Sequence, residues 1–208
     1  MKTNGNTYTV IYTTLVCVLV AAVLAVVSQA LKPRQEANEK AETVRQILVA
    51  AGYGEMEGWR KADNTAVLDF FNENIVGNPQ ILSTSQLKAQ NYNIKHDKPL
   101  SLPLYRFRNG ITVLAVYGTG LWGPVWGYIG LEEDLATVAG AYFDHESETP
   151  GLGGKIKDDP SFRASFKGKK IRQEGQIEFD AISGATMTSR GLDDAIKNWI
   201  SAYQKTEL

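Results

Sequence analysis

The hydropathy pattern opens with one long apolar run. Residues 10–31, VIYTTLVCVLVAAVLAVVSQAL, carry no charged side chain. Crossing a bilayer takes roughly 20 mostly apolar residues, so the run predicts a transmembrane helix behind a short tail, residues 1–9. A cleaved signal peptide is the competing reading, because Ser28-Gln29-Ala30 resembles a small-residue cleavage site. The run is longer than the usual apolar region of a signal, about 7–15 residues, and only Lys2 precedes it. Both points favour a retained anchor. Charge leaves the orientation open: Lys32 and Arg34 follow the run, but so do Glu36 and Glu39, and large domains translocate largely regardless of charge.

Beyond the run the period becomes helical. Pro33 suits the first position of a helix, and Ala37, Ala41, Val44, Ile47, Leu48 and Ala51 recur on one stripe ahead of Gly52. This predicts a linking helix over 32–51. Residues 65–79, TAVLDFFNENIVGNP, read as a helix with Leu68, Phe71 and Ile75 on one face and a stop at Gly77 to Pro79. Their β-branched and aromatic content keeps a strand open. Residues 83–103 are polar and turn-rich and read as a long loop.

From Leu104 the period shortens to two. LYRFRNGITVLAVYG, 104–118, predicts two strands around Asn109-Gly110. PVWGYIGLEEDLATVAGAYFDH, 124–145, predicts two more around Glu132 to Asp134. Then come a short helix after Asp158-Asp159-Pro160, a strand at IEFD, 177–180, and a final helix with Leu192, Ala195, Ile196, Trp199, Ile200 and Tyr203 on one stripe. Short strands close in sequence favour antiparallel pairing. The expected class is α+β: a mainly antiparallel sheet with flanking helices over 52–208, preceded by one N-terminal transmembrane helix.

Composition adds exclusions. A net charge of -1 provides no basic field for nucleic acid. The one cysteine, Cys17, lies inside the apolar run, which excludes an intrachain disulfide and a cysteine-built metal site.

Candidate chemistry sits in three loops. In YGTGLWGPVWG, 117–127, Trp122 and Trp126 stand beside Gly120 and Gly123, as hairpin packing or as a wall for a flat ring. HESETPGLGG, 145–154, holds His145, Glu146 and Glu148. It reads as a solvated turn, a loose metal set or a carboxylate pair of the glycosidase kind. The other histidine, His96, lies in the separate polar stretch. SGATMTS, 183–189, precedes the last helix. Thr188 or Ser189 can cap it, the helix start can hold an anion, or a hydroxyl can be an attachment point. No Walker lysine follows Gly184, no G-x-S-x-G elbow is present, and neither Ser183 nor Thr186 has an adjacent base. A hydroxyl modified by another enzyme needs no base of its own.

These residues carry a resemblance. DAISGATMTS, 180–189, resembles the flavinylation motif of the FMN-binding domain family: Asp, two variable positions, Ser/Thr, Gly, Ala, Thr. GTGLWGPVWGYIGLE, 118–132, and HESETPGLGGKI, 145–156, are similar to loops of one branch of that family, the C-type subunits of the sodium-translocating NADH:quinone reductases. The G-type subunits of Rnf electron-transport complexes share the span and the SGAT motif. The resemblance implies covalent FMN on Thr186 as a phosphoester, placed by a separate flavin transferase that uses FAD. It implies Ser183, Gly184, Ala185 and Thr188 around the phosphate. Glu148, Thr149, Leu152 and Gly153 would lie beside the flavin, with Leu121, Trp122 and Trp126 shaping the ring's surroundings. The implied role is electron relay between redox subunits of a membrane complex that couples NADH oxidation and quinone reduction to sodium export. The span would stay in lipid, with the domain on the periplasmic face of a bacterial inner membrane. No resident metal and no catalytic residue are expected in the chain itself.

Overall fold

The computed structural model describes residues 5–83 and 101–205. The chain divides into two compact units, Met1–Glu42 and Thr43–Leu208.

The first unit belongs to α1 (Asn6–Ala50), a single helix of 45 residues. Its apolar stretch has a mean hydropathy of 2.8 and none of it is buried. Val10, Leu15 and Leu24 are each more than 60 % exposed (63 %, 64 % and 63 %). Among the described residues it is the one helix long and apolar enough to cross a membrane. A helix satisfies its own backbone groups, which lipid cannot do. Pro33 lies inside this helix and does not start a new one. A proline removes one ladder bond, at a cost of about 3 kcal/mol. The strong helix formers around it, Leu31, Lys32, Arg34, Gln35 and Glu36, offset that loss. The expected linking segment is therefore continuous with the span.

The second unit is built on a five-stranded antiparallel meander in the order β1-β2-β3-β4-β5. Its strands are β1 (Gln80–Ser83), β2 (Ser101–Arg106), β3 (Thr112–Thr119), β4 (Pro124–Leu131) and β5 (Val138–His145). Turn chemistry sets the register. Gly110 takes φ +83°. Asn109 accepts from the Ile111 N–H and donates to the Ala51 carbonyl. In the β4–β5 turn Asp134 accepts from the Thr137 hydroxyl at 2.6 Å and from two backbone N–H groups. The Thr137 hydroxyl bond, with those amides, holds its carboxyl below the usual range.

Helices cover both faces of the sheet. On one lies α6 (Thr186–Lys205), whose Leu192, Ile196, Trp199 and Ile200 pack against Leu114, Val116, Val125, Ile129 and Phe143. Two short helices, α4 (Lys155–Asp158) and α5 (Pro160–Ala164), add Ile156 and Phe162 to this core. The opposite face carries Val44, Ile47 and Leu48 from the end of α1. Val67 comes from α3 (Asn64–Asn74), and α2 (Met56–Lys61) precedes it. With both faces covered, β3 is buried continuously from Thr112 to Val116, so its sequence loses the usual alternation. The Trp199 indole donates to the Tyr117 carbonyl at 2.8 Å. The same burial pushes the phenols of Tyr105, Tyr128 and Tyr203 upward.

Glycines let the layers close. A Cβ on Gly130 would stand 2.0 Å from the Ala50 carbonyl oxygen, and one on Gly140 2.9 Å from the same atom. Across the sheet, a Cβ on Gly118 would meet Ala195 Cβ at 2.7 Å, and one on Gly191 the Thr119 oxygen at 2.1 Å. Helix α6 therefore rests directly on β3.

Two elements depart from the sequence pattern. Strand β1 is not anticipated, because QILS is four residues preceded by Gly, Asn and Pro, too short for a period to show; its Ser83 and the first residues of β2, Ser101 to Pro103, fall within the expected loop 83–103. The stretch between them, 84–100 with His96, lies outside the described residues, as do residues 1–4 of the expected tail. Residues 177–180 are not a strand. Ile177 is buried, Glu178 exposed and Phe179 half-buried, but that alternation comes from packing on Phe162 and Phe166. The start of β5 is already bonded to 169–171, through Val138 N–H to Lys169 and Ile171 N–H to Ala136.

Replacing Gly130 by Ala should lower the unfolding free energy by about 1–3 kcal/mol, the usual cost of overpacking, as measured by urea denaturation. An unchanged midpoint would show that the end of α1 does not sit on this strand.

Candidate functional site

One end of the sheet gathers the three loops. The register pairs Thr119 with Pro124 and Val125 with His145, so the β3–β4 loop and the loop leaving β5 emerge together. The close approach of Gly118 and Gly191 brings the start of α6 to the same end.

Glu148 ties them. Its side chain is buried, 4 % exposed. One carboxylate oxygen accepts from the Trp122 backbone N–H at 2.8 Å, and the other from the Thr188 hydroxyl at 2.5 Å. Its own N–H donates to His145 Nδ1 at 3.2 Å. Glycines make the room: a Cβ on Gly120 would lie 2.5 Å from one oxygen, and one on Gly153 2.4 Å from the other. Below, the buried Asp144 pairs with Lys157 at 2.9 Å and accepts from Gln46 and from the His145 N–H. That group fixes the root of the 146–154 loop to α4. His145, Glu146 and Glu148 thus do different things: the first is an internal acceptor, the second is exposed, and the third is a buried bridge.

The turn into α6 is set by Gly184 at φ +77°. Ile182 N–H donates to the Ser189 hydroxyl at 3.0 Å, and Ala185 N–H to the Ile182 carbonyl at 2.9 Å. The helix begins at Thr186, so Thr188 and Ser189 lie within its first turn rather than capping it. Their hydroxyls tie the turn and Glu148 from inside, both residues being buried. Thr186 and Met187 face solvent. The first N–H groups of a helix lack intrahelical acceptors and carry the positive end of its dipole. An exposed hydroxyl therefore stands where an anion is favoured.

The loops that meet at this end carry exposed apolar side chains. Leu121, Trp122, Leu152 and Met187 are exposed by 51 %, 67 %, 44 % and 55 %. Leu152 reaches the turn, with its Cδ2 3.0 Å from where a Cβ on Gly184 would be. Exposed large apolar side chains that cluster mark a binding surface.

The structure thus brings Leu121, Trp122, Glu148, Thr149, Leu152, Gly153, Ser183, Gly184, Ala185, Thr186 and Thr188 to one end of the domain. Glu148, Gly153, Ala185 and Thr188 are beneath its surface. Trp126 is not part of this group. It shares a strand face with Tyr128, opposite Val125 and Ile129, which pack toward α6. A cleft of about 230 Å³ that no sequence motif marks lies on the other side of Thr186, bordered by Phe179, Ala181, Arg190 and Asp193. One signal for it is present in the chain: Arg190 is four residues after Thr186 on a helix. Burial, with Asp194 nearby, pushes the Asp193 carboxyl up against the opposing pull of Lys197.

A model of the FMN-binding domain matches residues 120–201, which take in most of the first loop, the whole of the other two and most of α6. Relatives extend the likeness over the rest of the chain. The C-type subunit of the Na(+)-translocating NADH-quinone reductase of Haemophilus ducreyi is 28 % identical, over 94 % of this chain and 89 % of its own. Its Pseudomonas aeruginosa counterpart is 28 % identical, over 95 % and 92 %. The crystal structure of the corresponding protein from Parabacteroides distasonis superposes with a TM-score of 0.65 at 28 % identity, covering 84 % of this chain and 96 % of that one. Shewanella oneidensis NqrC has the same fold, with a TM-score of 0.60 at 19 % identity over 82 % and 100 %.

Glu148→Ala should strand two donors, the Trp122 N–H and the Thr188 hydroxyl, in a dry site. The expected loss is about 2–4 kcal/mol of stability, since each unsatisfied group costs about 1–3 kcal/mol. Denaturant unfolding followed by tryptophan fluorescence measures it. A loss no larger than that of an exposed control such as Glu146→Ala would remove Glu148 from its bridging role.

Proposed function

We propose that this chain is the FMN-carrying electron-transfer subunit of a membrane-bound, sodium-translocating NADH:quinone reductase, with FMN joined to Thr186 through a phosphoester. The observation that carries the reading is the placement of Thr186. It is an exposed hydroxyl on the first residue of a 20-residue helix, inside an SGAT turn, beside an exposed apolar rim.

The residues present fit the group. A phosphate on Thr186 would meet the first-turn N–H groups and the positive end of the α6 dipole. Leu121, Trp122, Leu152 and Met187 offer an apolar surface to a flat ring. Bound FMN supplies reversible electron uptake and release; the protein supplies position and surroundings.

Attachment asks little chemistry of this chain. A flavin transferase would deliver the FMN half of FAD: the Thr186 oxygen forms the new bond to phosphorus, the phosphoanhydride bond of FAD breaks, AMP departs, and the threonine proton is released. What the chain contributes is an accessible hydroxyl on a rigid turn. Glu148 keeps the Trp122 loop and α6 in register beneath that turn, and Asp144 with Lys157 fixes the root of the loop. The apolar half of α1 would hold the domain to a bacterial inner membrane, on its periplasmic face. There a tether prevents loss of the cofactor, and neighbouring redox subunits of the complex would exchange electrons with it. The likeness to the C-type subunits over nearly the whole chain supports this setting.

Full-length protein co-produced with a flavin transferase should keep its yellow colour after denaturation and gain the mass of one FMN phosphoester. Thr186→Val, which preserves the branched shape, should abolish the adduct while the apo protein melts within a few degrees of wild type. An adduct of equal yield on the variant would disprove the assignment.

A further inference from the structure

Thr186 stands between two unlike surfaces. On one side is the apolar rim of Leu121, Trp122, Leu152 and Met187. On the other is the cleft bordered by Phe179, Ala181, Arg190 and Asp193. The rim suits a ring and has no charge of its own. The cleft contains the one cation that shares its lining with Thr186.

We infer that Arg190 is the positioning residue for the phosphate on Thr186, drawing the phosphoester to the cleft side of the helix and leaving the ring to the apolar rim. This rests on the reading that Thr186 carries FMN. The structure and helix geometry support it together. Residues four apart on a helix are neighbours on one face, and Thr186 and Arg190 line the same cleft. Long helical side chains lean back toward the N-terminus, over the preceding turn, a preference that favours an Arg190 guanidinium leaning toward Thr186. Among the described residues, no ion pair engages Arg190, whereas Arg172, nearby at Glu178, is taken at 2.5 Å. A guanidinium also has the planar, two-donor geometry that phosphate oxygens accept, and here its charge adds to that of the helix start. The acidic groups in the cleft are separated from this role. Glu178 is paired with Arg172, and Asp193 lies nearly a further turn along the helix, away from Thr186.

The arrangement would divide the labour at the attachment point. The helix N–H groups and Arg190 would hold the phosphate from two directions, fixing the direction in which the ribityl chain leaves. Without the guanidinium the flavin would remain covalently tethered but would be less ordered, because a single ester bond leaves several torsions free.

The test compares loaded and unloaded full chain in detergent, produced with and without the transferase. The rise in melting temperature on loading and the 31P chemical shift of the phosphoester are recorded for wild type, Arg190→Ala, Arg190→Lys and a distant control, Arg60→Ala. Loading should raise the melting temperature of wild type. Arg190→Ala should cut that rise by roughly half or more, as expected when a charge-assisted contact is lost, and should move the 31P resonance. Arg190→Lys should restore part of both, and Arg60→Ala should match wild type. Salt at about 1 M, where screening acts within ~3 Å, should shrink the difference between wild type and Arg190→Ala. An unchanged melting rise and resonance in Arg190→Ala, with the adduct present, would overturn the inference and leave the attachment standing. Absence of an adduct from wild type would instead overturn the attachment itself.

Discussion

A carboxylate taken out of water needs donors on both oxygens, and Glu148 finds them on two separate segments, the Trp122 loop and the first turn of α6. The rest of the candidate site follows from that constraint. Gly120 and Gly153 are glycines because the carboxylate fills the space their side chains would take. Gly118 and Gly191 let α6 settle on β3 closely enough for Thr188 to reach. Asp144 and Lys157 hold the strand end from which the Glu148 loop springs. Removing one donor leaves a buried charge short of a partner, which is far more costly than losing a surface pair.

This scaffold faces inward, and what it leaves outside is the candidate functional surface. Thr188 and Ser189 spend their hydroxyls on structure, whereas among the described residues no hydrogen bond engages the Thr186 hydroxyl. The hydroxyl residues of SGATMTS are therefore not interchangeable. In the proposed function the difference matters twice: an outward hydroxyl can be reached by a transferase, and a cofactor tied there remains within reach of a redox partner. The exposed apolar rim is poorly explained by the fold alone, since a free-standing domain gains nothing by leaving Trp122 two-thirds in water (67 % exposed).

Much of the architecture is legible in the chain. Helix α6 declares itself through a clean stripe, and all six of its expected residues, from Leu192 to Tyr203, are buried. The Asn109-Gly110 turn marks its hairpin because few dipeptides suit that geometry. The misses have physical causes. Pro33 looks like a helix start because a single proline is usually decisive, yet a long run of good helix formers carries the helix through it. IEFD looks like a strand because packing on aromatic rings produces the same alternation as a ladder. In the site, composition brings the three loops forward but not their mutual contacts. Glu148 sits 40 positions from Thr188, and only the fold reveals that they bond. Trp126 groups with Trp122 by closeness in sequence, although strand alternation sends it to the other face.

One hydroxyl among several is proposed to carry the flavin. Fragmentation mass spectrometry of the tryptic peptide covering residues 173–190, from full-length chain co-produced with a flavin transferase, tests this most directly. The expected result is an FMN phosphoester located on Thr186, with Ser183, Thr188 and Ser189 unmodified. A peptide that carries no flavin, or carries it on any of those three residues, would contradict the assignment.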